Sequence, residues 1–240
     1  MIEQIVETKK KEVETLKTLE LAPRTKPVIP FVLKEGINII AELKRKSPSA
    51  GEIGEIDDER IMLYSRYATA ISILTDNAYF GGSFEVLADV SDKIDLPILC
   101  KDFFIDTVQI DLAYSKGADL ILLIARILGR EQLKNLYSYA KRLGLNCLVE
   151  VHAIDELEKI ADLNAEIIGV NARDLDTLVI DLERGKEILS RVSAPVRVAE
   201  SGIKSRKDIE GFHNANCFLI GETLMRSQNL ESTFRELLYG

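Results

Sequence analysis

Residues 39–49 read IIAELKRKSPS, so an apolar run ends in charged residues and then in a Ser-Pro-Ser turn. In an extended chain alternate side chains share a face, which places Ile40, Glu42 and Lys44 on the same face. The stretch predicts a strand that brings a carboxylate and an ammonium group side by side at its end. The alternative interpretation is an edge strand with a solvent-exposed basic end.

Similar apolar runs recur along the chain and alternate with longer segments of helical period, which is typical of βα units. The predicted strands are residues 38–44, 70–74, 97–101, 120–124, 147–151, 167–171, 196–199 and 217–220. Because the runs are almost continuously apolar, we expect a parallel sheet covered on both faces. Eight units predict an α/β fold, a single (β/α)8 TIM barrel. An open doubly wound sheet is the competing fold, but no Gly-x-Gly-x-x-Gly follows the first strand.

The segment before the first strand lies outside this repeat. Apolar residues at positions 2, 5, 6, 13 and 16 predict one face of a helix, and Lys9-Lys10-Lys11 is expected on the other side. Prolines at positions 23, 27 and 30 then end the helix. We therefore expect one barrel domain over residues 1–240, with residues 1–36 as an N-terminal helical extension.

Capping residues mark several of the helices between the strands. Ser83 and Asp106 each precede a helical segment, and Gly144 follows another. Ser205 with Asp208 predicts a capping box after the seventh strand.

Composition excludes several classes of partner. The formal net charge is −8 and the isoelectric point is near 5.0, which argues against a general nucleic-acid surface, because phosphate backbones are bound by excess Lys and Arg. The chain carries no signal-peptide pattern and no apolar run long enough to span a bilayer. Cys100, Cys147 and Cys217 lie singly in apolar runs, which predicts buried thiols. We expect a cytoplasmic protein without nucleic-acid or membrane partners.

Polar residues end almost every predicted strand, and in a (β/α)8 barrel the chemistry lies at these C-terminal ends. The candidates are Glu42, Lys44, Thr75, Asp76, Lys101, Asp102, Arg126, Glu150, Asn171, Arg173, Glu200, Ser201, Gly202 and Gly221. Alternation points Lys101, Glu150 and Glu200 into the barrel mouth, where neighbouring charges shift one another's pKa values and can supply an acid and a base. Ion pairs that merely fill the mouth are the alternative.

Two glycine-containing loops predict a phosphate site. Residues 200–203 (ESGI) follow the seventh strand, and residues 220–225 (IGETLM) follow the eighth and begin a short helical pattern. Such a pair of loops is a common phosphate site of this fold. His152 and His213 are interpreted as structural, and no metal-ligand or Ser/His/Asp pattern is present, so we expect acid–base chemistry without a metal.

Seven motifs together resemble one known family. They are AELKRKSPS at 41–49, LTD at 74–76 with YFGGS at 79–83, PILCKDF at 97–103, LVEV at 148–151, GVNARDL at 169–175, ESGI at 200–203 and GETLMR at 221–226. In order and spacing they resemble the indole-3-glycerol-phosphate synthase family of tryptophan biosynthesis, over essentially the whole chain. The resemblance implies a carboxy-lyase that closes the ring of 1-(2-carboxyphenylamino)-1-deoxyribulose 5-phosphate with loss of carbon dioxide and water, without a cofactor.

The resemblance also implies roles for residues. Lys101 is the general acid that activates the substrate carbonyl, and Glu150 is its partner in the loss of water, although the division of proton transfers among Lys101, Glu150 and Lys44 stays open. The other implied catalytic residues are Lys44, Glu42, Asn171 and Glu200. The implied substrate contacts are Ser47, Ser201, Gly202, Gly221 and Glu222 near the phosphate, Phe80, Phe103 and Leu122 around the anthranilate ring, and Arg173. The N-terminal helix is expected to cap the barrel mouth, and the protein to be a monomer or weak homo-oligomer.

The sequence leaves two alternative functions open. Another phosphosugar barrel enzyme, such as a phosphoribosylanthranilate isomerase, would be expected to carry a Cys/Asp pair, whereas the first strand ends in Glu42 and Lys44. A non-catalytic barrel that only binds a phosphorylated ligand would be expected to lack Lys101 or Glu150, and both are present.

Overall fold

The computed structural model describes residues 2–49 and 51–240. Within these ranges, eight parallel strands form a closed barrel. They are β1 (Asn38–Leu43), β2 (Ala70–Leu74), β3 (Ile98–Lys101), β4 (Leu120–Ile124), β5 (Asn146–Val151), β6 (Ile167–Asn171), β7 (Val196–Glu200) and β8 (Cys217–Ile220). Each strand pairs with its neighbours in sequence, and β1 closes the barrel by pairing with both β2 and β8. The (β/α)8 prediction is confirmed, and predicted and observed strand ends differ by at most one residue.

The barrel closes because both faces of its strands are apolar. Ile40, Leu122 and Val198 belong to a cluster inside the barrel. Their neighbours Ile39 and Ala199 point outward into a second cluster beneath the helices. This alternation places the polar residues at the strand ends that share the inward face of Ile40 at the mouth of the barrel.

Helices cover the outside, and their ends carry the predicted caps. They are α1 (Ile2–Leu16), α2 (Asp58–Tyr67), α3 (Asn77–Phe80), α4 (Phe84–Lys93), α5 (Thr107–Ser115), α6 (Arg130–Arg142), α7 (Ile154–Ile160), α8 (Leu182–Ser190), α9 (Arg206–Gly211), α10 (Glu222–Met225) and α11 (Leu230–Tyr239). A 3₁₀ helix, Ala161–Leu163, follows α7. Ser83 and Asp106 cap α4 and α5, and Ser205 with Asp208 forms the predicted capping box. No helix in the described ranges is long and apolar enough to cross a membrane. The three cysteines are buried and unpaired, as predicted.

The N-terminal extension contacts both ends of the barrel. Ile5 of α1 joins the cluster inside the barrel, next to the strand ends. The segment after α1 runs under the opposite end, where Arg24 and the N–H of Ile29 bind the Asp119 carboxylate that precedes β4. Phe31 closes this end from below and is buried against the same cluster.

The prediction that Lys9 lies on the outer side of α1 is wrong. Lys10 and Lys11 are exposed, but Lys9 is only 1% exposed and shares the inner face with Ile5 and Val13. The spacing of four residues between these positions already places them on one face. The error came from assuming that a charged side chain must face water, whereas buried carboxylates from distant loops pair with Lys9.

Candidate active site

One cavity of about 380 Å³ opens at the C-terminal ends of the strands. Every residue for which the sequence implied a catalytic or substrate-binding role lines it. The group comprises Glu42, Lys44, Ser47, Phe80, Lys101, Phe103, Leu122, Glu150, Asn171, Arg173, Glu200, Ser201, Gly202, Gly221 and Glu222. Their chemical roles remain predictions, but the barrel brings all of them together.

The Lys101 ammonium group lies between two buried carboxylates. Its Nζ is 3.6 Å from Glu150 Oε2 and 3.9 Å from Glu200 Oε2, and both glutamates are almost fully buried. Burial by itself lowers the pKa of Lys101, but the negative charges of Glu150, Glu200 and Glu42 outweigh it and raise the pKa above its usual value. Lys101 is therefore held protonated, which suits a proton donor to an oxygen that becomes negative.

Glu150 and Glu200 are driven to opposite protonation states. Burial opposes ionisation of Glu150, but the positive charge of Lys101 keeps its pKa below the usual value. Burial and the negative charge of Glu150 raise the pKa of Glu200 well above the usual value. Because two adjacent carboxylates resist double ionisation, this arrangement favours an ionised Glu150 beside the Lys101 ammonium group and a neutral Glu200.

Glycines make room for these carboxylates. A Cβ on Gly169 of β6 would overlap Glu200 Oε1, and a Cβ on Gly221 would overlap Glu42 Oε1. Gly221 was expected near a phosphate, and no role was expected for Gly169. The structure shows that any larger residue at either position would displace an active-site glutamate.

Glu42 and Lys44 form a close pair at the end of β1, with Lys44 Nζ 2.5 Å from Glu42 Oε1. Burial opposes ionisation of Glu42, but Lys44 and then Lys101 lower its pKa below the usual value. Both side chains line the cavity, so the edge-strand interpretation of this stretch is wrong. The pair has no net charge, and the short contact fixes the position of the Lys44 ammonium group at the cavity wall.

Asn171, at the end of β6, organises the loop that follows it and joins that loop to the one after β7. The Asn171 Oδ1 atom accepts a bond from Ser201 Oγ at 2.8 Å and another from the Arg173 backbone N–H at 3.0 Å. Ser201 and Gly202 both have positive φ, 70° and 79°, and a Cβ on Gly202 would lie 2.7 Å from the Leu182 side chain. The glycine is therefore required by close packing in this turn.

An apolar wall of the cavity is formed by side chains on α3, on the loop after β3 and on β4. The rings of Phe80 and Phe103 are 6.2 Å apart, and Leu122 lies in the same cluster. Ile5 of α1 completes the lining. Such a surface is suited to a flat aromatic group.

Some lining residues were missed, and some candidates lie elsewhere. Ile5, Lys204, Thr223 and Arg226 line the cavity. The GETLMR motif contains Thr223 and Arg226, and the predicted apolar face of the N-terminal helix contains Ile5, but none of the three was expected to contact the substrate. No local pattern marked Lys204. Thr75 and Asp76 are buried outside the cavity lining, and Arg126 pairs with Asp174 and Asp176 on the surface.

His152 lies directly behind the site and is almost fully buried. Its Nε2 is 3.2 Å from Glu150 Oε1. Burial lowers its pKa below the usual value, although Glu150 and Glu156 oppose this effect. The neutral ring packs behind Glu150, and its interpretation as a structural residue stays a prediction.

Solved structures share this architecture at low sequence identity. A 3-hexulose-6-phosphate synthase from Salmonella typhimurium superimposes with a TM-score of 0.69 at 11% identity, covering 84% of this chain and 96% of the other. An orotidine 5'-monophosphate decarboxylase from Methanocaldococcus jannaschii gives 0.63 at 16% identity, covering 86% and 100%. These likenesses concern the fold alone. Fold and cavity together define the class as a (β/α)8 barrel with a cavity lined by ionisable side chains at its strand ends.

Sequence relatives narrow this class to one family. A sequence model of indole-3-glycerol phosphate synthase matches residues 2–237. Proteins named indole-3-glycerol phosphate synthase are 42% identical over 241 residues in Exiguobacterium sibiricum, covering 95% of this chain and 93% of the relative, and 41% identical over 244 residues in Leptospira interrogans, covering 99% and 96%. The chain belongs to the indole-3-glycerol phosphate synthase family. These matches confirm the family and the function that the motifs predicted.

Proposed function

We propose that this chain is a carboxy-lyase that converts 1-(2-carboxyphenylamino)-1-deoxyribulose 5-phosphate to indole-3-glycerol phosphate by acid–base catalysis. The main support is the position of the Lys101 ammonium group between Glu150 and Glu200 at the floor of the cavity. Family membership supports the identity of the substrate.

In the ring-closing step, the ring carbon that bears the carboxylate attacks the ketone carbon, and the electrons come from the aniline nitrogen. The ketone oxygen takes a proton from Lys101 as it becomes negative. Loss of carbon dioxide leaves its bonding electron pair in the ring and restores the nitrogen lone pair. Water is then lost when Lys101, which has regained a proton from solvent, protonates the new hydroxyl and the adjacent carbon gives up a proton to the ionised Glu150.

The remaining lining residues would bind the rest of the substrate. The anthranilate ring would pack on Phe80, Phe103 and Leu122, while Lys44 and Arg173 would meet its carboxylate or the carbonyl. Glu42 and Asn171 would hold sugar hydroxyls. The phosphate would lie between the loops that contain Ser201, Gly202, Gly221 and Glu222, with Ser47 at its side. The small phosphorylated substrate itself follows from the family.

Three broader expectations accompany this proposal. Residues 1–240 would act as one barrel domain, with residues 1–36 as its extension. The protein would work in the cytoplasm as a monomer or weak homo-oligomer. Gel filtration coupled to light scattering would test the oligomeric state.

The direct test mixes purified protein with the carboxyphenylamino-deoxyribulose phosphate in the absence of added metal or nucleotide and follows indole fluorescence. We expect product from the unaltered protein and a loss of about 10²–10⁴-fold in kcat for Lys101→Ala, because its general acid is gone. Lys134→Ala, on the exposed face of α6, is the matched control and should behave like the unaltered protein.

Two results would contradict the proposal. No indole product from the folded, unaltered protein would refute the function and favour a non-catalytic phosphate-binding barrel. Near-normal turnover of Lys101→Ala with indole product would refute the role of Lys101 but not the function of the protein. Circular dichroism and thermal melting of each variant would separate these results from a loss of folding.

A further inference from the structure

The N-terminal helix places a charged group against the loops of the active site. Lys9 Nζ lies 2.7 Å from Asp102 Oδ1 and 2.8 Å from Asp76 Oδ2, and the three side chains are almost completely buried. A third carboxylate, Glu12 on the same helix, lies 2.7 Å away and is partly exposed. A buried ammonium group with this many close carboxylates forms a strong and directional junction.

One partner of Lys9 is joined directly to the proposed general acid. Asp102 is the next residue after Lys101, and its two oxygens accept bonds from the Phe103 backbone N–H and from Thr75 Oγ1, each at 2.7 Å. The Asp102 carboxylate therefore has three partners: Lys9 on α1, Thr75 after β2 and the backbone N–H that follows Asp102 itself. The direction in which Lys101 leaves β3 therefore depends on this carboxylate.

The other partner holds the aromatic wall. Asp76 is the N-cap of α3, and its Oδ1 accepts bonds from the backbone N–H groups of Tyr79 at 2.7 Å and Phe80 at 3.2 Å. Its second oxygen, Oδ2, faces Lys9. Lys9 thus connects α1 to the short helix that carries Phe80, while Ile5, one turn earlier on α1, lines the cavity itself.

We propose that Lys9 is a positioning residue for the reaction, which through Asp102 and Asp76 fixes Lys101 and the Phe80 and Phe103 wall and makes α1 a permanent wall of the active site. This inference rests on the proposed function. Lys9 does not itself line the cavity, so it acts only through its partners. A displacement of about 1 Å at reacting groups can cost about 100-fold in rate, so an anchor of this kind can control turnover without touching the substrate.

The test compares Lys9→Met with Lys10→Met, its exposed neighbour on the same helix. Lys9→Met keeps the side-chain length but removes the charge. We expect kcat to fall about 10- to 100-fold in Lys9→Met, by loss of alignment, and to stay unchanged in Lys10→Met. Inhibition by inorganic phosphate should be unchanged, because the three ion-pair partners of Lys9 lie outside the loops after β7 and β8.

The pH profile separates positioning from a loss of folded protein. The groups that face Glu150 are Lys101, Glu200, His152, Asn171 and Glu42. If Lys101 moves away from Glu150, the carboxylate loses its main positive neighbour, and the acidic limb of kcat/KM should move to higher pH. A smaller folded fraction would lower kcat but leave the limb where it was.

Folding of the variant is controlled by a second substitution. If Lys9→Met does not fold, the double variant Lys9→Met, Asp102→Asn restores the net charge of the cluster and should fold, yet remain slow with a shifted acidic limb. A folded variant of either kind with the kcat and pH profile of the unaltered protein would overturn the proposal. Unaltered protein assayed in parallel shows whether the function itself fails, which would overturn both proposals together.

Discussion

Two lysines of this protein each face a pair of buried carboxylates, and the two clusters differ in how closely they pack. Around Lys9 the ammonium-to-carboxylate distances to Asp102 and Asp76 are 2.7 and 2.8 Å, whereas around Lys101 the distances to Glu150 and Glu200 are 3.6 and 3.9 Å. In the Lys9 cluster, the side chains of Lys9, Asp76 and Asp102 are at most 3% exposed. The Lys101 cluster opens into the cavity, and its side chain is 15% exposed.

The difference in ammonium-to-carboxylate distance corresponds to a difference in what each lysine can do. Short contacts satisfy an ammonium group and fix a junction, so Lys9 has no capacity left for a ligand. Longer contacts leave donor capacity on Lys101 while still raising its pKa, so it can bind and protonate a substrate oxygen. Close packing suits an anchor, and incomplete packing suits a catalyst.

The largest effect is expected when the charge of Lys9 or of Lys101 is removed and the free energy of unfolding is measured in urea. We expect Lys9→Met to lose about 3–5 kcal/mol of unfolding free energy, because two buried carboxylates lose their partner. Lys101→Met should lose clearly less, because the contacts of Lys101 to Glu150 and Glu200 are long and the raised pKa of Glu200 favours the neutral form of that side chain. Equal losses in the two variants would show that the difference in packing has no energetic meaning.

A smaller effect is expected when a methyl group is added beside the Lys101 cluster. Gly169→Ala would push the new methyl group into Glu200 Oε1, with Leu148 at 3.0 Å behind it. We expect a loss of about 1–3 kcal/mol in unfolding free energy, together with a lower kcat. Gly129→Ala is the control, since nothing lies within 4 Å of its Cβ position. Unchanged stability and kcat in Gly169→Ala would argue that the position of Glu200 is not sterically fixed.

The smallest effect concerns the pH dependence of stability. The folded pKa of Glu200 is raised above its unfolded value, so its protonated form stabilises the fold at low pH, and this contribution is lost as the pH rises through the folded pKa. Glu200→Gln imitates the protonated form and cannot titrate. As the pH rises above the ordinary pKa of a glutamic acid, we expect the unaltered protein to lose stability relative to Glu200→Gln. Parallel urea curves at several pH values measure this, and a constant difference would mean that Glu200 is ionised throughout.

Much of the architecture follows from local patterns. The strand bounds were predictable because each strand is an uninterrupted apolar run, and the ends of α4, α5 and α9 because Ser83, Asp106 and Ser205 cap their own helices. Alternation within single strands was enough to direct Lys101 and Glu150 into the same cavity. These features depend on residues close together in the chain.

Local patterns were thus enough to predict the barrel and its N-terminal helix, and the motifs predicted many of the residues that line the cavity. The direction of the Lys9 side chain, the close approach of Glu200 to Gly169 and of Glu42 to Gly221, and the opposite pKa shifts of Glu150 and Glu200 arise only in the folded chain. The physical reason is that burial and the distance between charges set these properties. Both depend on residues that are far apart in the chain and meet only when the barrel closes.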